Sequence, residues 1–298
     1  MPQSVSRPRL LPDRVGSLSL RSRILRNLIQ LPPMPNIILK AQEIVADPSS
    51  SLKDLANVIE ADPGLVARVM TLANSAYFGV STMVSSIQHA SVLLGQKTLG
   101  QIITLSASAT LLSQRLEGYG MKPEDLWLHS LAASFGAKYI AAKRRPNLVD
   151  DAFMAGLLHD TGKILLDPYI SENQKVFEAL LGDGGRTFLQ AEKEVLGFDH
   201  AEIMYRASRF WRFPEGLGTA IRYHHAPSLS DENALAYIVH LADILAEWAG
   251  FGTGKDRNPC PMDEEALTFL DLQEEELEPL LKAITESVQK IAQEFKGN

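Results

Sequence analysis

Apolar residues recur along this chain every three or four positions, the spacing that lays them on one face of an α-helix. Ile37, Ile38, Ala41, Ile44 and Val45 make one such face, and the run stops near Asp47-Pro48. Ser51, with Asp54 three residues on, has the spacing of an N-cap ahead of Leu52, Leu55, Val58 and Ile59. Asp62-Pro63 opens a further helix through Leu65, Val66, Val69, Met70 and Leu72, because proline's missing N–H costs nothing in a first turn. Ser86 begins the apolar stretch Ile87 to Leu94, Gly95 closes it, and Leu99, Ile102, Ile103 and Leu105 carry the helical spacing on towards Leu112. No run alternates with the period of two that a half-buried strand needs, and no segment repeats. The pattern predicts an all-α protein.

Glycine-containing breaks divide the helical pattern. Glu117-Gly118-Tyr119-Gly120 separates a first group of helices from a second, while Gly182-Asp183-Gly184-Gly185 and the stretch from Gly250 to Pro261 read as loops within and after the second group. Beyond them, Leu277, Leu280, Leu281, Ile284, Val288 and Ile291 give one or two amphipathic helices with an acidic outer face.

Charge and composition then narrow the classes. The chain has 298 residues and a net charge of −7. Residues 262–298 alone hold ten acids and three lysines, so the rest balances at zero and offers no basic stripe of the kind duplex DNA demands. Nucleic acid is therefore not an expected partner. No apolar run reaches the roughly 18 residues of a membrane span, which argues against a membrane protein. Met1 to Arg26 carries six arginines against the single acid Asp13 and reads as a tail leading into a surface helix. The one cysteine, Cys260, lies between Pro259 and Pro261, excludes an internal disulfide and fits a reducing cytoplasm.

Candidate chemistry lies in the second group. Five of the seven histidines fall in order with two aspartates: His129, His159-Asp160, His200, His224-His225 and Asp243. Imidazole and carboxylate together are ligands for iron, manganese or zinc. Taken singly, most have an ordinary alternative. His159-Asp160 could end one helix and cap the next, His200 could be an exposed first-turn residue, and His224-His225 could favour a helix dipole. Asp243 is harder to dismiss, because it stands within the apolar stripe Leu235, Ile238, Val239, Ala242, Leu245 and Ala246, and a buried carboxylate needs a cation. His240, on that same face, reads as a core or supporting histidine. Asp125 lies four residues before His129 and shares its helix face, where it could ligate, orient the imidazole or form a surface pair.

The run Leu157-Leu158-His159-Asp160-Thr161-Gly162-Lys163 resembles the signature of the HD superfamily of metal-dependent phosphohydrolases. That superfamily's H…HD…D order maps onto His129, His159, Asp160 and Asp243. His200, His224 and His225 match the added ligands of the binuclear HD-GYP phosphodiesterases, and Asp125 takes the place of an acid that some of them use. Leu31-Pro32-Pro33-Met34-Pro35, Asp62-Pro63, Asn74-Ser75-Ala76-Tyr77-Phe78-Gly79 and Ser86-Ile87 through Leu94-Gly95 are similar to hallmarks of HDOD domains, bacterial signalling modules many of which have lost the HD ligands.

The resemblance covers roughly residues 25–250. It implies an N-terminal helical bundle packed on a C-terminal HD-like bundle. The expected parts are a flexible tail over 1–20, an N-terminal HDOD subdomain over 21–116, an HD-like subdomain over 121–250, and acidic helices over 258–298 that pack on the latter. It also implies one or two divalent transition-metal ions (Fe, Mn or Zn), and a signalling partner protein on the N-terminal part. If the site is active, a phosphate ester or nucleotide is the ligand, Asp160 bridges the ions and Lys163 neutralises phosphoryl oxygens, with Arg222 an alternative that a solvated helix arginine explains equally well. The acid-containing GYP loop is missing, because Ala226-Pro227-Ser228 follows His225 and only 17 residues separate His225 from Asp243. Cyclic-di-GMP hydrolysis does not carry over.

Overall fold

The computed structural model describes residues 14–29, 36–47, 50–59, 62–182, 186–252, 254 and 261–296. Residues 1–13, the Leu31–Pro35 motif, the glycine loop at 183–185 and Cys260 lie outside them. The chain is 75% helical and has no sheet among the described residues.

The first group comprises α1 (Arg14–Ile29), α2 (Asn36–Ala46), α3 (Leu52–Ile59), α4 (Pro63–Ala73) and α5 (Ile87–Leu112). The second runs through α6 (Asp125–Arg144), α7 (Val149–Leu158), α8 (Gly162–Glu172), α9 (Gln174–Gly182) and α10 (Phe188–Leu196). It continues with α11 (His200–Phe210), α12 (Glu215–Tyr223) and α13 (Ala234–Trp248), and α14 (Ala266–Leu270) and α15 (Leu277–Lys296) follow.

The sequence signals act where expected. Ser51 and Asp54 exchange reciprocal hydrogen bonds ahead of α3, and Asp62 accepts the Leu65 N–H at 3.0 Å to open α4. Gly95 takes φ +78°, a left-handed value that suits glycine, and kinks α5 where the apolar stretch breaks. The glycine break before α6 is a pinned turn, not a slack linker. Leu116 and Met121 pair their backbones there, and Asp167 of α8 accepts the Gly118 N–H at 2.8 Å.

In the first group, α5 packs against α2, α3 and α4; in the second, α6 lies between α7, α13 and α15. Tyr77 joins the two, its ring 4.8 Å from Phe78 and 4.9 Å from Phe135 of α6. The acidic C-terminal helices do pack on the second group. Ile284 of α15 is fully buried against Gly136 and Ala242, and the rings of Trp127 of α6 and Phe295 meet at a tilt, 4.6 Å between centroids. Helix α15 also touches α4.

The N-terminal segment departs from expectation. A flexible tail was expected through residue 20, but the chain is helical from Arg14, because the stripe of Leu20, Ile24, Leu25 and Leu28 extends one continuous helix. That helix also lies against the second group. Asn27 donates to the Tyr169 hydroxyl at 2.6 Å, Arg21 covers the Phe198 ring at 4.6 Å, and Arg23 pairs with Glu172.

A close contact between α6 and α7 positions the His159-Asp160 pair. A Cβ on Gly156 of α7 would stand 2.6 Å from the Ala133 carbonyl of α6, so only glycine allows this approach. Gly156→Ala should lower unfolding stability by about 2 kcal/mol through forced helix separation. Gly216→Ala, with nothing within 4 Å of its added Cβ, should be neutral or gain up to ~1 kcal/mol. Urea denaturation of the two variants tests this, and equal effects would refute the packing argument.

Candidate metal centre

Helix ends and helix middles converge on one buried point. His129 comes from the second turn of α6 and Asp243 from within α13; His159 and Asp160 occupy the tight turn between α7 and α8. His200 begins α11 behind its N-cap Asp199, which accepts the Glu202 N–H at 2.6 Å. His224 and His225 follow the last turn of α12. The turn at Asp160 reaches α11 because Gly162 has no side chain, since a Cβ there would come within 2.0 Å of the His200 carbonyl. His129, His159, Asp160, His200, His224 and Asp243 are all buried, and His225 is partly so.

Asp160 stands between two sets of nitrogens. Its Oδ2 lies 3.4 Å from His129 Nε2 and 3.6 Å from His159 Nε2, while Asp243 Oδ1 lies 2.9 and 3.4 Å from the same two atoms. Its Oδ1 lies 3.1 Å from His200 Nε2 and 3.9 Å from His224 Nε2, and His225 Nε2 is 2.8 Å from that of His200. Ligand atoms within 4.8 Å of one another form the groups Asp160-His200-His224-His225, His129-His159-Asp160 and His159-His224-Asp243.

The outer nitrogens explain why the inner ones point here. The Nδ1 atoms of His129, His159 and His224 contact the carbonyls of Phe251 (2.7 Å), Gly156 (2.8 Å) and Ile221 (2.7 Å). A carbonyl only accepts, so each of these nitrogens carries a hydrogen and leaves Nε2 to face the cluster. His200 Nδ1 lies 2.9 Å from Glu192 Oε2, and Glu192 also accepts the Tyr119 hydroxyl at 2.7 Å. Carboxylate-to-imidazole support of this kind fixes ring orientation at metal sites. The pattern in the sequence missed Glu192, which is fully buried on α10.

The donor set fits a cation. His224 Nε2 is buried without a hydrogen-bond partner, and His129 and His159 turn Nε2 atoms towards each other at 3.2 Å. Such lone pairs repel unless a proton or a metal ion lies between them. In the metal-free state protons take this place. Burial opposes charge on His200, but Glu192 and Asp160 outweigh it and raise its pKa to about 10. His129 is raised likewise, because its bond to Asp243 overcomes burial. Burial and the neighbouring His159 push His224 down to about 3. Despite burial, Lys163 and His159 hold the Asp160 carboxyl well below the ordinary range, and His129 and His159 do the same for Asp243. Lys163 Nζ lies 2.6 Å from Asp160 Oδ2.

The expected ligand Asp125 and the alternative Arg222 stand apart. Asp125 does share a helix with His129, but α6 begins at Asp125 itself. Its Oδ2 there accepts the Lys122 backbone N–H at 2.7 Å, and no contact among the described residues brings it to the cluster. Arg222 is exposed and lies over the rings of Tyr205 and Tyr223, each at 5.0 Å.

A cavity of about 40 Å³ opens beside the cluster, lined by Tyr119, Lys163, Glu192, His200, Asp243 and Glu247 among others. Glu247 lies one turn beyond Asp243 on α13, and burial together with Asp243 raises its pKa to about 7.

These shifts set a pH dependence for metal-free protein. A His200 pKa raised from 6.5 to about 10 adds stability that is complete below the unfolded value and lost as pH rises through the folded one. Metal-free protein should therefore lose melting temperature between about pH 6.5 and 10. Glu192→Gln should flatten that loss. An unchanged slope in the variant would show that Glu192 does not hold the His200 proton.

Comparison with known proteins places the chain in a family. The HDOD domain family matches residues 31–227. An uncharacterized protein of Treponema pallidum (strain Nichols) is 25% identical over 228 residues, covering 73% of this chain but only 42% of the relative's own length. Among solved structures, an HDOD domain protein with unknown function from Geobacter sulfurreducens superposes with a TM-score of 0.72 at 25% identity, covering 94% of this chain and 99% of that one. A protein of Shewanella amazonensis SB2B named "Putative phosphohydrolase" gives 0.69 at 25% identity, with 91% and 97% coverage. The match spans the HDOD core and six of the seven clustered residues, and the chain belongs to the HDOD domain family.

Proposed function

We propose that this chain is an HDOD-type signalling protein that retains a binuclear metal centre bridged by Asp160. The observation that carries the reading is the division of the Asp160 carboxylate, with Oδ2 towards His129 and His159 and Oδ1 towards His200 and His224. Asp243 would complete the first position and His225 the second. Mixed imidazole and carboxylate donors suit iron, manganese or zinc. The signalling role rests on family membership. It puts a protein partner on the N-terminal helices, a reading supported by the exposure of Met83 and Val92 at 81% and 75%.

A second reading, metal-dependent hydrolysis of a phosphate ester or nucleotide, is favoured by the cavity beside the cluster. Bound metal ions supply an acidified water and charge stabilisation in such sites. The chain's own groups have complementary roles. Lys163, buried on the cavity wall, can neutralise phosphoryl oxygens, and Glu247 can give a proton to a departing oxygen. The name of the Shewanella amazonensis relative supports this reading too.

Elemental analysis of purified protein should find about two transition-metal ions per chain, the count set by a bridged pair of positions. Protein that takes up no iron, manganese or zinc would refute the reading. On a panel of phosphate mono- and diesters, His159→Ala and Asp160→Ala should each lower hydrolysis on the order of 10²–10³-fold. Activity that survives both substitutions comes from elsewhere.

A further inference from the structure

His240 is fully buried beside the cluster yet turns neither nitrogen into it. Its Nε2 accepts the backbone N–H of Asp263 at 2.8 Å. A neutral imidazole then has its one hydrogen on Nδ1, which lies 2.6 Å from the His224 carbonyl and donates to it. That carbonyl belongs to the C-cap of α12, where helix carbonyls lack partners of their own. The His224 ring is in turn tied to Ile221 of the same last turn. A chain of bonds therefore runs from Asp263 through His240 and the His224 backbone to the unpartnered His224 Nε2. The other end of the α13–α14 connection braces the other half of the cluster, since the Phe251 carbonyl accepts from His129 Nδ1.

We propose that His240 is a positioning residue for His224. It sets the metal affinity of the position formed by His200, His224, His225 and Asp160, and couples that position to the C-terminal segment that starts at residue 261. The proposal rests on the binuclear reading for its metal consequence and on the hydrogen bonds alone for the relay. Its partner is this chain's own C-terminal arm, so a ligand or protein that displaces the arm would loosen one ion and leave the other.

The test compares His240→Leu, which removes both bonds, with His240→Gln, whose amide can donate to the His224 carbonyl and accept from Asp263. In a zinc titration against a competing chelator, His240→Leu should weaken one of the two ions about 10–100-fold and leave the other within roughly twofold, while His240→Gln restores the first. A merely structural histidine would weaken both ions together, and that result, or two ions held as in the wild type, overturns the proposal. If His240→Leu does not fold, Asp263→Pro removes the backbone donor together with the carboxylate that accepts the Glu265 N–H, and should weaken the same ion, whereas Asp263→Ala, which loses the carboxylate and keeps the backbone donor, should hold it as wild type does; wild-type affinity in the proline variant, or equal weakening in both, overturns the proposal as well. Imidazole ¹⁵N spectra of metal-free wild type and His240→Gln give a readout independent of metal. His240 should be the Nδ1–H tautomer, and the His224 signals should remain close to wild type in the glutamine variant. An Nε2–H tautomer refutes the relay even if wild type binds two ions, whereas wild type that binds none refutes the binuclear reading and leaves the spectra to decide the relay.

Discussion

The convergence of five imidazoles on two buried carboxylates is the constraint around which the second half of this chain is built. Electron pairs at this density cannot face one another in a dry interior without positive charge among them. Helix ends and glycines allow the approach. Gly156 brings α7 onto α6, Gly162 brings the turn after α7 onto the start of α11, and the C-terminus of α12 delivers two consecutive histidines. The hydrophobic core holds these helices, but the direction of each imidazole comes from its outer nitrogen. Four of the five are fixed by a backbone carbonyl or by Glu192.

Much of this was legible in the sequence because polar residues on apolar helix faces are costly. Asp243 stood out against its stripe, and the other members gained meaning from their order. Cap signals at Ser51 and Asp62 placed helix starts accurately, since each depends only on neighbours a few residues away. The fold class followed from periodicity alone.

What was not legible depends on contacts distant in the chain. Glu192 lies between Ala191 and Lys193 in a run of alternating charge, and nothing local marks it as the buried acid that meets His200 and Tyr119. Spacing put Asp125 on the face of His129, but periodicity does not say where a helix begins, and a residue at the start serves the preceding turn. A surface helix after the basic tail was legible, whereas the start of α1 at Arg14 and its packing partner were not. Its place is set by partners distant in the chain, the rings of Phe198 and Tyr169 beneath Arg21 and Arg23, the Tyr169 hydroxyl that Asn27 reaches and Glu172 beside Arg23.

Helix α15 has a consequence for the order of events in the cell. Ile284 fills the gap between Gly136 and Ala242, beside the helices that carry His129 and Asp243, and Asp263 supplies the donor that His240 requires. During synthesis the histidines emerge well before these supports. Chains grow and fold from the N-terminus, so the pocket of nitrogens remains unbraced until residues near 284 have left the ribosome. The cluster therefore reaches its finished geometry only once these supports are in place, and in a shorter nascent chain the histidines are separate side chains without it.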